Sequence, residues 1–486
     1  MQIHYFLAEL LLIIGLLGLL LLKQIVKNHE SQTRAYVIGL YLTTIVLLIW
    51  TQADFNGKTI QDGLFIVDKL SLMVKLLVLG FGLATVVFFD QPILRCGLPV
   101  VETYFLIGIQ TVGMMLTIAC VNWISLFVCL ELMYLPIYAL IGLHTTNRDA
   151  QEAACKYIIM GAFSTGVLLY GISLIYAVSG TFELQALIAP SLTTALNKST
   201  FLGLDPEQSL FLIGGLLVLI ALCFKLGVVP FHLWVRDVYE GGLYAAVSLI
   251  ASAPKLVLVL VWSRVFFDSE LSSLKNITWI IFSIGLVSMF FGHFLALVQE
   301  RIRILLAYSS LAHMGFVLLA LGLMSQMGHE AAMVYTIGYT VTIALVFLVL
   351  SGMIVNGRRV VLIEDLKGLS ITQPSLAFLL LIAIFSLLGL PPFAGFMLKV
   401  RVLTALIESQ YLGIAVLTLI PSVVAACYYI NMIHLMYFQK GNEVSIVESH
   451  YSSIQSLLLI TGGVFIIGVG IYPSELFQWV SGFYPS

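Results

Sequence analysis

Phe224-Lys225-Leu226-Gly227-Val228-Val229-Pro230-Phe231-His232-Leu233-Trp234 lies in an apolar run from about 208 to 235. A run of that length is enough to cross a bilayer, which takes roughly 20 apolar residues. Two residue types inside it work against an ordinary helix. Pro230 lacks a backbone donor, and its ring clashes with the carbonyl of Leu226. Gly227 and Pro230 together therefore mark a break. Freed carbonyls at membrane depth are tolerated only where they are buried in protein or line a wet cavity. Lys225 sits beside that break, and a charge at the bilayer centre costs at least about 2.5 kcal/mol. The C-terminal end of the first half-helix carries partial negative charge, which can stabilise an ammonium. Broken helices of this kind recur at ion sites near the membrane midplane.

The rest of the chain agrees with lipid as its solvent. Of 486 residues, 60% are hydrophobic and 10% charged, and the mean hydropathy is +1.06. A soluble protein of this size carries about 25% charged residues. The net charge of −2 argues against nucleic acid as a partner. The six cysteines form no CxxC pair and read as small buried hydrophobes. No HExxH, GxGxxG or Walker loop occurs, so flavin, haem and iron–sulfur sites are not expected in this chain.

Reading for further spans gives 14 segments: 4–22, 35–52, 64–89, 98–119, 122–143, 153–178, 208–235, 243–267, 276–298, 302–325, 330–355, 374–400, 409–438 and 455–480. The first has no basic residue before it and no cleavage site after it, so it reads as a span and not a signal peptide. With the N-terminus outside, 12 basic residues fall in cytoplasmic loops and 3 in outer loops. That bias follows the positive-inside rule and places both termini outside.

Eight basic residues remain in or at the ends of the segments. Lys69, Arg264 and Arg401 lie near helix ends and are expected to snorkel. Lys75 is deeper and has no functional reading. Lys156, Lys225, Lys255 and Lys399 need more than snorkelling. A second break lies at Gly389-Leu390-Pro391-Pro392-Phe393-Ala394-Gly395-Phe396, and Lys399 follows Pro392 by two helical turns. Interrupted seventh and twelfth segments, each with a lysine, suggest two five-helix repeats. An odd number of spans per copy inverts the second. The expected organisation is 1–97 for helices one to three, 98–267 and 276–438 for the repeats, and 455–486 for the last helix. The fold class is all-α. The bland alternative is two proline kinks with incidental lysines.

Glu131 lies well inside the fifth segment, and Lys255 follows Pro254 in the eighth. A buried carboxylate and a buried ammonium need one another, so Glu131 is expected near Lys225 or Lys156. Separating and rejoining such a pair would release and take up a proton without covalent chemistry; a static ion pair is the alternative. His232 and His313 titrate in the right range to relay protons, or they bond a serine or carbonyl as structural groups. Ser309 and His313 share a helix face. His293 and His329 are unassigned, and Tyr134 and Tyr138 are expected to pack.

These residues resemble a known family, the antiporter-like membrane subunits of respiratory complex I, the proton-pumping NADH:quinone oxidoreductase. The likeness runs over essentially the whole chain. It is most specific at Phe224 to Trp234 followed by Asp237-Val238-Tyr239-Glu240-Gly241, at Tyr308-Ser309-Ser310 through Gly315, and at Gly389 through Gly395. The Asp-Val-Tyr-Glu-Gly run and Lys399 favour the branch called subunit N. The resemblance implies two inverted five-helix bundles and one proton per catalytic cycle. It implies a buried Glu131–Lys225 pair with Lys156 beside it, Lys255 with the histidines linking the halves, and Lys399 as the second-bundle site. NADH, FMN, iron–sulfur clusters and quinone would belong to partner subunits, making this a non-redox subunit of a translocase in a bacterial inner membrane. The chain departs from the family pattern at Val235-Arg236, where Thr-Pro or Ala-Pro is usual, and at Gly242 to Val247, which lacks two usual prolines. Pro254 is present before Lys255, so the geometry of the linking segment is expected to differ there. Two other readings remain: a multisubunit sodium/proton antiporter, and an anchor whose buried charges are static.

Overall fold

The computed structural model describes residues 2–25, 30–51, 58–61, 63–89, 93, 96–184, 206–267, 275–355, 357–439, 447–449 and 451–482. Its helices are α1 (Leu7–Ile25), α2 (Glu30–Thr51), α3 (Lys69–Phe88), α4 (Val100–Ala119), α5 (Trp123–Gly142), α6 (Arg148–Ser179), α7 (Pro206–Leu226), α8 (Leu233–Gly241) and α9 (Tyr244–Ala251). These are followed by α10 (Ala253–Trp262), α11 (Lys275–Leu297), α12 (Ile302–Leu321), α13 (Gln326–Ser351), α14 (Pro374–Leu388), α15 (Ala394–Glu408), α16 (Leu412–Tyr437), α17 (Ser453–Ile471) and α18 (Pro473–Ser481). Thirteen stretches of the described residues are long and apolar enough to cross a membrane. The fourteenth segment read from the sequence is the pair α14 and α15, each 15 residues long and short of a full span alone.

Polarity is inverted relative to a water-soluble fold. Val46, Ile159, Phe163 and Val423 are about two-thirds or more exposed. Lys75, Lys225, Lys255, His293, His313 and Glu9 are buried. The core is a central column. The stretch Tyr244–Phe266 is wholly buried and α12 and α13 are 94% buried, against 28% for Ser31–Thr51 of α2. Charge is therefore stored where the other helices screen it from lipid.

The shortest gaps between consecutive segments, 119 to 122 and 298 to 302, are genuine boundaries. Asn122 caps α5, its side chain accepting from the Ile124 N–H at 2.9 Å. Arg301, the N-cap of α12, bridges to Leu362. The connections also hold structure that an all-helical reading omits. Strands β1 (Lys58–Ile60) and β2 (Phe65–Val67) pair antiparallel, Lys58 opposite Val67. A three-stranded sheet runs β4 (Arg358–Arg359), β3 (Met353–Val355), β5 (Val447–Ser449).

Both expected breaks are present, and they have the same local form. At the end of α7 the Gly227 N–H donates to the Cys223 and Phe224 carbonyls, and the Val228 N–H donates to Cys223. At the end of α14, Gly389 donates to Phe385 and Ser386, and Leu390 to Phe385. This is the Schellman pattern, which requires a left-handed residue. Gly227 and Gly389 supply it, at φ +74° and +84°. Both breaks contain a cis peptide bond, Val229–Pro230 and Pro391–Pro392.

A third break corrects the expectation of a continuous eighth helix over 243–267. Ser252 has φ −109° and ψ −85° and separates α9 from α10, with Pro254 in the first turn of α10. A proline there tolerates the missing donor because a first-turn N–H has no intrahelical acceptor. The eighth segment then ends in a π-helical turn, Ser263–Phe267. The linking segment thus lacks the family's usual prolines at its start and is interrupted by Pro254 further along.

Candidate functional site

Lys225 stands in the last turn of α7 and Glu131 near the middle of α5. The Lys225 Nζ lies 3.8 Å from Glu131 Oε1, with side-chain exposures of 2% and 25%. Thr165 of α6 donates to the same carboxylate oxygen at 2.6 Å. The ammonium also stands 4.2 Å from the centre of the Tyr134 ring, a cation–π contact that is worth most when desolvated. The expectation that free carbonyls hold Lys225 is not met: its Nζ has no hydrogen-bond partner among the described residues. The Schellman bonds occupy Cys223 and Phe224, and the Trp234 indole N–H takes the Phe224 carbonyl at 2.9 Å.

At the second break a freed carbonyl is used that way. Lys399 of α15 reaches back across the interruption and donates to the Leu388 carbonyl at 2.8 Å, with the Phe316 ring 5.5 Å away. Gly389 lies under this lysine. A Cβ there would stand 2.8 Å from Lys399 Cδ, so the close approach depends on glycine.

Lys156 does not join the buried pair. Its side chain is 46% exposed and makes ion pairs with Glu152 at 2.7 Å and Asp237 at 2.8 Å. The buried stripe of α6 runs through Ala153, Ala154, Tyr157, Gly161 and Ser164, and position 156 falls off it. Lys156 and Thr165, nine residues apart, are also separated by about 13 Å along the helix axis. Here two carboxylates neutralise the lysine at the outer surface of the bundle.

Lys255, in the first turn of α10, bonds to Ser310 Oγ and lies 3.4 Å from the Tyr239 hydroxyl and 5.4 Å from the Tyr339 ring centre. Tyr239 and Ser310 are themselves 3.2 Å apart. Three residues further along α12, His313 Nδ1 pairs with the Tyr335 hydroxyl at 2.8 Å, and Nε2 lies 3.5 Å from the Tyr429 hydroxyl. Ser309 bonds Tyr429 at 2.5 Å. His313, Tyr335, Tyr339, Thr342, Ser386 and Lys399 line one small cavity, with room for about one water. One face of α12 therefore carries polar groups from Lys255 to the edge of the Lys399 cavity.

His232 sits at the α7–α8 break, half-buried, with its ring 5.5 Å from that of Phe291. Among the described residues no hydrogen bond joins it to Lys225 or Lys255. The sequence reading missed several members. His293 is fully buried, bonded to Tyr428 at 2.9 Å and with its ring 6.4 Å from that of His313. Tyr239, Tyr335, Tyr339 and Tyr429 give no hydropathy anomaly; the available signal is the i,i+4 spacing of Tyr335 and Tyr339 on the His313 side of α13.

Arg264 and Arg401 are ion-paired where snorkelling was expected, and Lys75, which had no reading, is paired too. Arg264 donates to both carboxylate oxygens of Asp68 at 3.1 Å and to Ser71. Arg401 pairs with Glu330 at 3.3 Å. Lys75 donates to Glu9 Oε1 at 2.6 Å with both side chains buried. These three are pairs between distant helices, which no local pattern announces. No group of three or more His, Cys, Asp or Glu able to hold a metal occurs among the described residues.

Interrupted helices with lysines held inside an all-α bundle define the class of antiporter-like membrane subunits. Residues 120–425 match the family described as NADH:quinone oxidoreductase/Mrp antiporter, TM. The chain is 34% identical to the NADH-quinone oxidoreductase subunit N of Beijerinckia indica, covering 97% of this chain and 96% of that one. It is 32% identical to the subunit N of Coxiella burnetii, over 91% and 92%. The chain therefore belongs to the NADH:quinone oxidoreductase/Mrp antiporter family, on its subunit N branch. Among solved structures, a chain of respiratory complex I from Thermus thermophilus with bound Aureothin is 26% identical with TM-score 0.78, over 97% of this chain and 99% of that one. The Mrp complex from Dietzia sp. DQ12-45-1b holds a chain of the same fold, TM-score 0.79 at 18% identity over 99% and 97%.

Proposed function

We propose that the chain is the subunit N of an NADH:quinone oxidoreductase and moves protons through its interior as other subunits transfer electrons. The observation that carries this reading is the polar face of α12. It meets Lys255 at Ser310 and lines the Lys399 cavity at His313. Lysine, histidine and tyrosine all exchange protons, and burial makes each sensitive to its neighbours' charge. The Glu131–Lys225 pair would be the input element. While it is closed, the lysine holds its proton; when the carboxylate is screened or moved, the ammonium loses the one charged partner it has among the described residues and gives the proton up. Lys255, His313 and Lys399 would pass charge across the centre. Lys156, neutralised at the surface, and His232, off the bonded file, would sit at its margins.

In this reading 98–267 and 276–438 are inverted repeats, flanked by 1–97 and 455–486. The matching Schellman breaks support that division. The chain is taken to sit in a bacterial inner membrane with both termini on the periplasmic side, among other membrane subunits. It contributes no redox step; NADH, FMN, iron–sulfur clusters and quinone are assigned to its partners.

The test is the assembled complex carrying Lys225→Ala, reconstituted in liposomes, with protons moved per NADH oxidised as the readout. A reduced ratio, or coupled loss of both activities, is expected. An unchanged ratio would remove Lys225 from the pathway. Sodium-dependent proton exchange without NADH or quinone would instead support an antiporter.

A further inference from the structure

Five connections converge at one end of the bundle on a polar cleft of about 390 Å³. Cys96, His144, Asn147, Arg303 and Arg359 line it together with the Gly241–Gly242 backbone. None of these residues belongs to the buried file. Arg303 Nη1 donates to the Gly242 carbonyl at 2.8 Å, and its guanidinium lies 5.1 Å from the Tyr244 ring centre. Arg359 Nη2 donates to Cys96 Sγ at 2.8 Å.

Neither arginine has a carboxylate within ion-pair reach among the described residues. Asp149 is the acid whose field reaches Arg303, and Asp365 acts on the neighbouring Tyr244. Asp365 is occupied, its Oδ2 accepting from the Val361 and Leu362 N–H groups at 2.8 and 2.9 Å. A guanidinium offers five donors in a planar fork, and each arginine spends one within the protein. Two half-buried cations thus face one cavity and repel each other, with most of their donors unused. Elsewhere in this chain the partly buried arginines Arg264 and Arg401 are matched by Asp68 and Glu330. Burial and the Arg359 charge hold His144 below the ordinary imidazole range, so it enters the cleft as a neutral group.

We propose that this cleft binds a phosphate-bearing anion through Arg303 and Arg359, with His144 and Asn147 as neutral polar partners. Oxyanions fit because a planar fork presents paired donors to two of their oxygens. The basic loops Arg148, Arg301–Arg303 and Arg358–Arg359 gather at this end, where an anionic lipid would present its headgroup. The phosphate could equally be free in solution. Bound there, it would tie together the α5–α6 loop, the α8–α9 connection and the β3–β4 hairpin.

Cys96 gives a local readout. The purified complex containing the full chain is placed in phosphatidylcholine nanodiscs or in phosphatidylglycerol nanodiscs. Alkylation by N-ethylmaleimide is then followed at Cys96 by peptide mass spectrometry, with the exposed Cys155 near the start of α6 as reference. Slower Cys96 labelling in phosphatidylglycerol alone identifies a lipid headgroup. Slowing in phosphatidylcholine on adding inorganic phosphate, about tenfold at ten times its Kd, identifies a free anion. Arg303→Gln leaves the Arg359–Cys96 contact in place and should abolish the protection, while Arg303→Lys should keep part of it. Protection that is equal in Arg303→Gln overturns the proposal. So does wild-type labelling that responds to neither probe, and that arm needs no variant to fold.

Discussion

Glu131→Gln isolates the charge in the Glu131–Lys225 pair, because glutamine has nearly the same shape and can still accept from Thr165. At 3.8 Å and an effective dielectric of about 20, two unit charges attract by about 4 kcal/mol. Glu131 is one-quarter exposed, so solvent screening trims that figure; the contact of Lys225 with the Tyr134 ring is common to both forms and cancels. A net loss of about 2–3 kcal/mol remains for the closed pair, on the order of a hundredfold in its population. If the closed pair loads the pathway, proton pumping should fall by at least about tenfold at the steady state. The assay is quenching of a pH-sensitive dye in proteoliposomes, run beside NADH:quinone activity and a native gel for assembly. Full pumping and full electron transfer in an assembled Glu131→Gln complex would refute the reasoning, since the paired charges would then be dispensable. Loss of assembly would return the pair to a structural role.

Three more outcomes follow from particular contacts. Ser310→Ala removes the nearer of the two hydrogen-bond partners of the buried Lys255, leaving Tyr239, at a cost of about 1.5–3 kcal/mol; pumping should drop while assembly holds, as read in the same liposomes, and unchanged pumping would take Ser310 out of the file. Glu9→Gln or Lys75→Met alone should each destabilise the chain by about 3–5 kcal/mol, and the double replacement by clearly less, because a single change strands a buried charge; additive losses in thermal melts of the detergent-solubilised complex would contradict this. His144 is held below the ordinary imidazole range, first by burial and then by Arg359. On acidification the unfolded chain takes up the proton first, so its contribution to stability is lost as pH falls below about 6.5. His144→Gln should flatten that part of the stability–pH profile, and an unchanged slope would show that other groups set it.

The spans and their breaks were legible in the residues because the forces that make them are local. A backbone in lipid must satisfy its own hydrogen bonds within about 20 residues, so hydropathy alone located the segments. Gly227, Pro230, Pro391 and Pro392 interrupt helices through their own covalent geometry. Lys225, Lys255 and Lys399 stood out because a charge in an apolar run is costly wherever the run packs. Pro254 was an available signal for the break before Lys255, yet a proline read as a neighbour of a lysine does not reveal the turn at Ser252.

Partnership was a different matter. Glu131 and Lys225 lie 94 positions apart in sequence, and either Lys225 or Lys156 would have satisfied a charge argument. The choice fell to the rotation of α6, which buries alanine and glycine and turns Lys156 outward toward Asp237. The same holds for Glu9 with Lys75, Asp68 with Arg264, and the tyrosines around His313. A helix's hydropathy is nearly blind to a few degrees of rotation when most of its faces are apolar. Packing against neighbours sets that rotation, and with it which buried charge meets which.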